Sequence, residues 1–407
     1  MKICVFTYGC RVNKYESDAI SRLLREKGHT VVDELEYADV YIVNTCAVTA
    51  EAERKSRQSV SRIKKLNPNA RIIICGCASQ KDREKFQKDG VKVISGTAKK
   101  QDLADMIEKE GFGEFSLTQD FDECSADTEK AKVYLKVQDG CNNFCSYCII
   151  PYLRGRSRSR KLDRVVEEVK GAKCNEVVLT GINLSAYGKD IGLSLVELIQ
   201  SLKGIDKRIS LGSLEVGVID RDFLTALKEL KDFCPHFHLS LQSGSDSVLK
   251  KMNRKYTADE YLSAVKLIGE YFENPSITTD VIVGFPTETE ENFLDTQSLV
   301  EKCAFADIHI FPYSKREGTV AYKLGEIDGK IVTDRVKRLE DTRETLRKNY
   351  REKFIGKQCR VLIEEKIGEF FVGYSERYLK IYTKKECEIG EIIFLTPQEL
   401  YNDGLKD

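Results

Sequence analysis

Nowhere in the 407-residue sequence is there an apolar run long enough to cross a bilayer, which takes about 20 residues. The amino terminus, MKICVFTYGCRVN, lacks the charged, apolar and cleavage segments of an export leader. Net charge is missing too. Sixty-five Lys plus Arg balance sixty-five Asp plus Glu, so any nucleic-acid surface has to be local. Against these absences, fourteen cysteines are informative. Without a leader they argue against a disulfide framework and for metal ligands in a reducing, cytoplasmic setting. Apolar content of 41% supports real cores, and the length predicts two or three domains.

Three of the cysteines are local. Cys141, Cys145 and Cys148 stand at C-x3-C-x2-C spacing in GCNNFCSYC, with the aromatic Tyr147 before the last. Three thiolates this close can wrap one corner of an iron–sulfur cube and leave its fourth iron without a protein ligand, whereas most clusters take four cysteines. A structural zinc site wants four ligands, often as two C-x2-4-C pairs, and neither a second pair nor a histidine follows at zinc-finger distance. Buried cysteines are common, yet Gly140, Asn142, Asn143 and Ser146 make this a polar loop.

The first domain, residues 1–127, alternates strands with helices and predicts an open parallel α/β sheet. Strands are expected at Lys2–Thr7, Val40–Asn44, Arg71–Ile74 and Val91–Ser95, and an amphipathic helix at Ser17–Lys27. Cys10, Cys46 and Cys77 each follow a strand. Open α/β sheets gather ligands at that carboxyl edge, so three cysteines remote in sequence can converge on a second cluster. Cys75 competes with Cys77; strand alternation and Gly76 favour Cys77 in the loop and Cys75 in the core. Cys4 is mid-strand and reads as packing.

The second domain, residues 130–350, repeats the alternation. Six candidate strands (Val133–Gln138, Glu176–Thr180, Arg208–Gly212, His236–Gln242, Ile277–Val283, Ala306–Phe311) predict a partial (β/α)6 barrel. Barrel enzymes build sites at the carboxyl ends of strands. Those ends carry Gly181 and Asn183, Ser213 and Glu215, Gln242 and Ser243, and Asp280. Any one alone reads as turn chemistry; on one rim they form a pocket.

Arg154, Arg156, Arg158 and Arg160 alternate with small residues just beyond the cysteine loop. An extended strand would aim all four one way. A charge run is usually a solvated face, but beside a cluster it suits a phosphate backbone. After a charged helix at Thr333–Phe354, residues 351–407 predict a small all-β barrel with strands near Gln358–Glu364, Phe370–Tyr374, Leu379–Tyr382 and Glu391–Phe394. Arg360, Arg377 and Lys380, with Tyr374, Tyr378, Tyr382 and Lys384, are its candidate RNA contacts. The plain alternative is a structural cap with surface lysines.

The cysteine loop with the following IPYLRGRSRSR resembles the radical S-adenosylmethionine (SAM) enzymes. TYGCRVNKYES, NTCAVTAEAERKSRQ and CGCASQ, together with LSLQSGSDSVLKKMNR, TTDVIVGFPTETEENF and FPYSKREGTVA, resemble the radical SAM methylthiotransferases over nearly the whole chain. The resemblance implies two [4Fe–4S] clusters, one on Cys141, Cys145 and Cys148 and an auxiliary one on Cys10, Cys46 and Cys77. It implies a SAM pocket at Tyr147, Gly181, Asn183, Ser213, Glu215, Gln242 and Ser243, and a terminal TRAM-like domain. It also implies replacement of C–H by C–S–CH3, begun by a 5′-deoxyadenosyl radical, with a reductant such as flavodoxin or ferredoxin; no sulfur donor is indicated. GCRVN and the compact carboxyl-terminal module most resemble the branch acting on N6-threonylcarbamoyladenosine at position 37 in the tRNA anticodon loop. Sister branches act on isopentenyladenosine-37 of tRNA or on a ribosomal-protein aspartate. A reading of another class is a redox sensor that binds RNA through two clusters and performs no chemistry.

Overall fold

A computed structural model describes residues 1–88, 90–126 and 130–407; the boundary expected at Asp127 lies outside them. In the amino-terminal region, β1 (Lys2–Thr7), α1 (Arg11–Glu26), β2 (Thr30–Val32), β3 (Val40–Thr45), α2 (Ala50–Leu66), β4 (Arg71–Gly76), α3 (Cys77–Lys81), β5 (Val91–Ile94) and β6 (Gly111–Phe112) succeed one another. All strands pair in parallel, in the order β2-β1-β3-β4-β5-β6. Strand β3 is buried along its whole length, as a central parallel strand covered on both faces must be. Alternation sends Cys4, Tyr41, Val43, Ile72 and Ile74 to one face, and Ile3, Val5, Ile42, Ile73 and Cys75 to the other. Cys75 is therefore core.

Helix α1 begins at Arg11, six residues before the expected start. Its first turns bury Asn13, Glu16 and Ser17, so polar residues interrupt the apolar period that would have announced them.

The central region holds β7 (Lys132–Asp139), α4 (Ile150–Arg154), β8 (Arg158–Ser159), α5 (Leu162–Gly171), β9 (Glu176–Gly181), α6 (Leu195–Ser201), β10 (Arg208–Leu211) and β11 (Ser213–Leu214). It continues with α7 (Arg221–Lys228), β12 (His236–Leu239), α8 (Asp246–Lys251), α9 (Ala258–Tyr271), β13 (Ser276–Val283), α10 (Glu290–Cys303) and β14 (Asp307–Pro312). The third expected strand ends at Leu211, and a separate two-residue strand beyond Gly212 belongs to the next sheet, so the array divides into β10-β9-β7-β8 and β11-β12-β13-β14. Every pairing is parallel except that of β8, and a lone parallel bridge from Ile209 to Phe233 spans the break. One strand face supplies Val133, Leu135, Val137, Val177 and Leu179 to a core under the helices. The opposite face is buried and polar: Lys136, Gln138, Glu176, Arg208, Ser210, His236 and His238. Burying so many polar groups is costly unless each finds a partner.

Helix α11 (Gly329–Glu352) lays Val336, Leu339 and Leu346 against that core, while Tyr350 joins Phe354 in the core of the last module. There β15 (Cys359–Ile367), β16 (Phe370–Ser375), β17 (Lys380–Thr383), β18 (Ile392–Leu395), β19 (Glu399–Tyr401) and β20 (Gly404–Lys406) form one sheet in the order β18-β15-β16-β17-β20-β19. The last two strands, three residues each, are too short to show a period in sequence.

Candidate active site

The two cysteine triads are built differently. Cys10 follows β1 and caps α1, Cys46 follows β3, and Cys77 is the first residue of α3, directly after β4. Adjacent parallel strands ending at one edge bring the three together. Cys77 and Cys10 both lie near enough to Cys46 to raise its thiol pKa. The close approach requires glycine at position 9: a Cβ there would stand 2.7 Å from Cys46 Cβ and 2.8 Å from its Sγ, and φ is +103°. Gly76 is held likewise, since a Cβ would meet the Thr45 carbonyl oxygen at 2.4 Å. Burial, with the two neighbouring thiols, pushes Cys46 up to about 12.

Cys141, Cys145 and Cys148 lie in the loop between β7 and α4, each half-buried. Burial pushes Cys148 up to about 12. The Asn143 amide donates to Cys141 Sγ (3.5 Å), as does Asn183 Nδ2 (3.8 Å), and Arg254 Nη1 donates to Cys145 Sγ (3.4 Å). In both triads a thiol that must ionise to serve as ligand sits where the bare thiolate is disfavoured, so a coordinated metal has to drive proton loss. Among the described residues, the group of three metal-ligand side chains with donor atoms within 4.8 Å of one another is His238, Asp280 and His309. Neither cysteine triad is drawn as tight as tetrahedral zinc, whose sulfurs stand about 3.8 Å apart at a 2.3 Å bond length. Three thiols in each group are the donor type of iron–sulfur clusters.

Of the residues expected to hold SAM, Asn183 and Glu215 meet beside Cys141. Glu215 accepts from Asn143 Nδ2 and Asn183 Nδ2 (3.4 Å) and faces Arg254 Nη1 at 3.5 Å. Gly181 ends β9, where a Cβ would stand 2.8 Å from Gln138 Oε1. Ser213 is exposed on β11, and Gln242 bridges to Val281 in the left-handed region (φ +68°). Tyr147 packs against Val248, Met252, Phe285 and Ala321. Ser243 corrects the expectation. Fully buried, it pairs its hydroxyl with Thr296 Oγ1 of α10 at 3.3 Å, on the helix side of the strand end.

The arginine row is the larger correction. Arg156 alone is exposed, over the Phe144 ring at 4.7 Å. Arg154, Arg158 and Arg160 are interior, each under 5% exposed, and cannot reach an RNA backbone. Gly155 breaks the extended run, placing Arg154 in α4, and pairing of β8 with β7 turns the next two inward. Arg160 meets Glu123 and Glu168 at 2.8 and 2.7 Å. Arg154 joins Glu16 (2.9 Å), Asp139 (3.1 Å) and Asn13 (2.6 Å), and its Nε donates to Cys77 Sγ at 3.4 Å. Arg158 pairs with Asp139, Lys136 with Glu16 and Asp139, and Lys100 with Glu16. Arg154, Lys136 and Arg158 hold the Asp139 carboxyl down to about 2 against the effect of burial.

Four cations thus meet two carboxylates, leaving a surplus of buried positive charge beside Cys77. Such a surplus is costly unless an anionic group balances it, as thiolate ligands would. Arg154 follows Cys148 by six residues, so one side chain ties the local loop to the strand-end triad.

The basic residues of the last module are likewise engaged. Arg360 pairs with Asp232, and Arg377 donates to the backbone carbonyls of Asn274 and Glu273 and pairs with Glu376. Lys380 meets Asp403 at 3.2 Å. Arg360 and Arg377 fasten the module to the central region in place of facing RNA. Sequence reasoning missed Arg254, Glu16 and Lys136. Asp139, next to the cysteine loop, was the one signal that an arginine would be neutralised nearby.

Residues 135–300 match the Radical SAM superfamily and residues 2–96 match a family described as Uncharacterized protein family UPF0004. A Bacillus subtilis protein named threonylcarbamoyladenosine tRNA methylthiotransferase MtaB is 34% identical, over 99% of this chain and 95% of its own. Its namesake from Aquifex aeolicus is 37% identical, over 97% and 99%. A tRNA-2-methylthio-N(6)-dimethylallyladenosine synthase from Acetivibrio thermocellus is 35% identical, over 93% and 82%. Among solved structures, the radical SAM methyltransferase TsrM shares the fold with a TM-score of 0.55 at 14% identity, over 76% of this chain and 74% of its own.

Proposed function

Because the chain belongs to the radical SAM methylthiotransferase family, in its MtaB-like branch, we propose that it converts N6-threonylcarbamoyladenosine-37 of tRNA to the 2-methylthio derivative. Its radical SAM segment takes SAM and a [4Fe–4S] cluster. Cys141, Cys145 and Cys148 would hold that cluster, and Cys10, Cys46 and Cys77 a second. When bound, the clusters supply one-electron reduction and a resting place for sulfur, neither of which side chains offer.

The observation that carries the reading is the second triad with its own N–H···S donor and buried positive surplus. Hydrogen abstraction alone needs one cluster; adding sulfur to an unactivated carbon needs a second place to bind it. Around the first triad, Asn143, Asn183 and Arg254 donate to the sulfurs and Glu215 holds those donors in place. Around the second, Arg154 balances thiolate charge and fixes the two regions relative to each other. The two parallel sheets read as one incomplete barrel whose carboxyl-end rim takes SAM, and the last sheet as a TRAM-like domain. Arg156, exposed beside the loop, suits an RNA phosphate. Among the described residues, no helix is long and apolar enough to cross a membrane.

Mass spectrometry of tRNA nucleosides from cells with and without the gene tests the proposal. Loss of the 2-methylthio-N6-threonylcarbamoyl nucleoside on deletion is expected. Loss of the isopentenyl analogue instead would move the chain to the sister branch. Reduced protein that forms no 5′-deoxyadenosine from SAM would favour the sensor reading.

A further inference from the structure

The chain has four histidines, and three of them, His236, His238 and His309, line one cavity of about 280 Å³ between β12–β14, Arg11 of α1 and the carboxyl-terminal module. Its wall also carries Arg351, together with Asp307 and Asp403, which are already paired with Arg347 and Lys380. Arg11 follows Cys10 directly, so its α-carbon is about 3.8 Å from that of a strand-end cysteine. Its guanidinium lies 5.6 Å from the Tyr134 ring centroid; among the described residues neither it nor Arg351 has a carboxylate at ion-pair distance. An unpaired guanidinium facing a cavity is a receptor for an anion.

The histidines are held for the same task. Asp280 bridges His238 Nε2 and His309 Nδ1 at 3.2 Å each, and His238 Nδ1 meets Thr278 Oγ1 at 2.9 Å. His309 is half-exposed with its second nitrogen outside that chain, and the Asp280 carboxylate raises its pKa above the ordinary imidazole value. His236 is buried, stacked on Tyr378 at 4.4 Å, with Nδ1 unpartnered. His238, Asp280 and His309 are spaced for a metal ion, but the guanidiniums of Arg11 and Arg351 on the same wall oppose a dication.

We infer that this cavity receives the carbamoylthreonine substituent of the substrate adenine, with Arg11 and His309 recognising its carboxylate. The inference rests on the function proposed above. A carbamoylthreonyl group brings hydrogen-bonding atoms and one negative charge to a wall of imidazoles, hydroxyls and guanidiniums. An isopentenyl group would desolvate the same wall without pairing it, which is what lets a polar site reject an apolar analogue. Arg11 adjoins Cys10 in the chain, so the proposed charge reader is anchored at the backbone of the strand-end triad.

The test uses the full-length, cluster-loaded enzyme and fluorescence anisotropy with three anticodon stem-loops, carrying N6-threonylcarbamoyladenosine, its methyl ester or plain adenosine at position 37. Wild type is expected to prefer the free acid over the ester by about tenfold, the worth of one charge-assisted hydrogen bond. Arg11→Gln should bring that ratio near one. His309→Gln, remote in sequence from every cysteine of the two triads, should lower it by about two- to threefold, which keeps the test sound if Arg11→Gln loads iron poorly. Equal weakening toward all three RNAs would assign Arg11 to the phosphate backbone and overturn the inference, as would an unchanged ratio. Wild type that binds and turns over no threonylcarbamoyl RNA would sink the function itself. Normal turnover with an unchanged ratio in Arg11→Gln would sink only the inference.

Discussion

The two cysteine triads take the same ligand type by opposite routes. Cys141, Cys145 and Cys148 lie within eight consecutive residues of one loop; their convergence needs little more than that loop. Cys10, Cys46 and Cys77 span nearly seventy residues, and only the parallel pairing of β1, β3 and β4 unites them. The local triad draws its N–H···S donors from Asn143, Asn183 and Arg254 of its own region. The distant one draws Arg154 from the next region. A local site depends on its loop; a gathered site depends on the fold.

The largest expected effect separates their chemistry. Cys141→Ala should abolish SAM cleavage, while Cys46→Ala should keep 5′-deoxyadenosine formation and lose methylthio transfer. Liquid chromatography of both products after reduction with dithionite reads the pair, and full thiolation by Cys46→Ala would erase the division of labour. Next, Arg154→Met leaves Glu16 and Asp139 with Lys136 as their one remaining shared partner among the described residues. Breaking such a buried network should cost about 3–5 kcal/mol in urea unfolding, and iron should fall toward one cube per chain as the strand-end triad fails first. Iron retained at two cubes would show that Arg154 is not what holds that triad.

A smaller effect is expected from Gly9→Ala. The strained backbone and the contact with Cys46 should cost about 1–3 kcal/mol and lower auxiliary iron with the local cluster's spectrum unchanged; equal loss from both would couple the triads. The smallest belongs to Arg254→Gln, which weakens the hydrogen bond to Cys145 Sγ. Fewer donors to sulfur make reduction harder. The local cluster's potential should therefore shift negative with iron content unaltered, and an unmoved potential would reduce Arg254 to a partner of Glu215.

The arginine row shows how far pattern reading reaches. Alternation did place Arg158 and Arg160 on one side, but nothing in RGRSRSR tells that side from solvent. What decided it was Asp139 and Glu168 waiting there, on elements that composition cannot orient. Arg360 and Arg377 went the same way, drawn into the seam by Asp232 and by carbonyls at Glu273 and Asn274. Strands with long apolar periods were legible to within one to three residues. The start of α1 was not, because its buried face is polar.

The clustering of one cysteine triad and the strand-end positions of the other were thus written in the sequence, since residue spacing and the two-residue period of a strand are local properties. Which charges are neutralised, which arginine touches a cysteine, and which histidines share a cavity were settled only by tertiary structure. Coulomb partners are chosen by distance in space and by exclusion of water, and neither has a period along the chain.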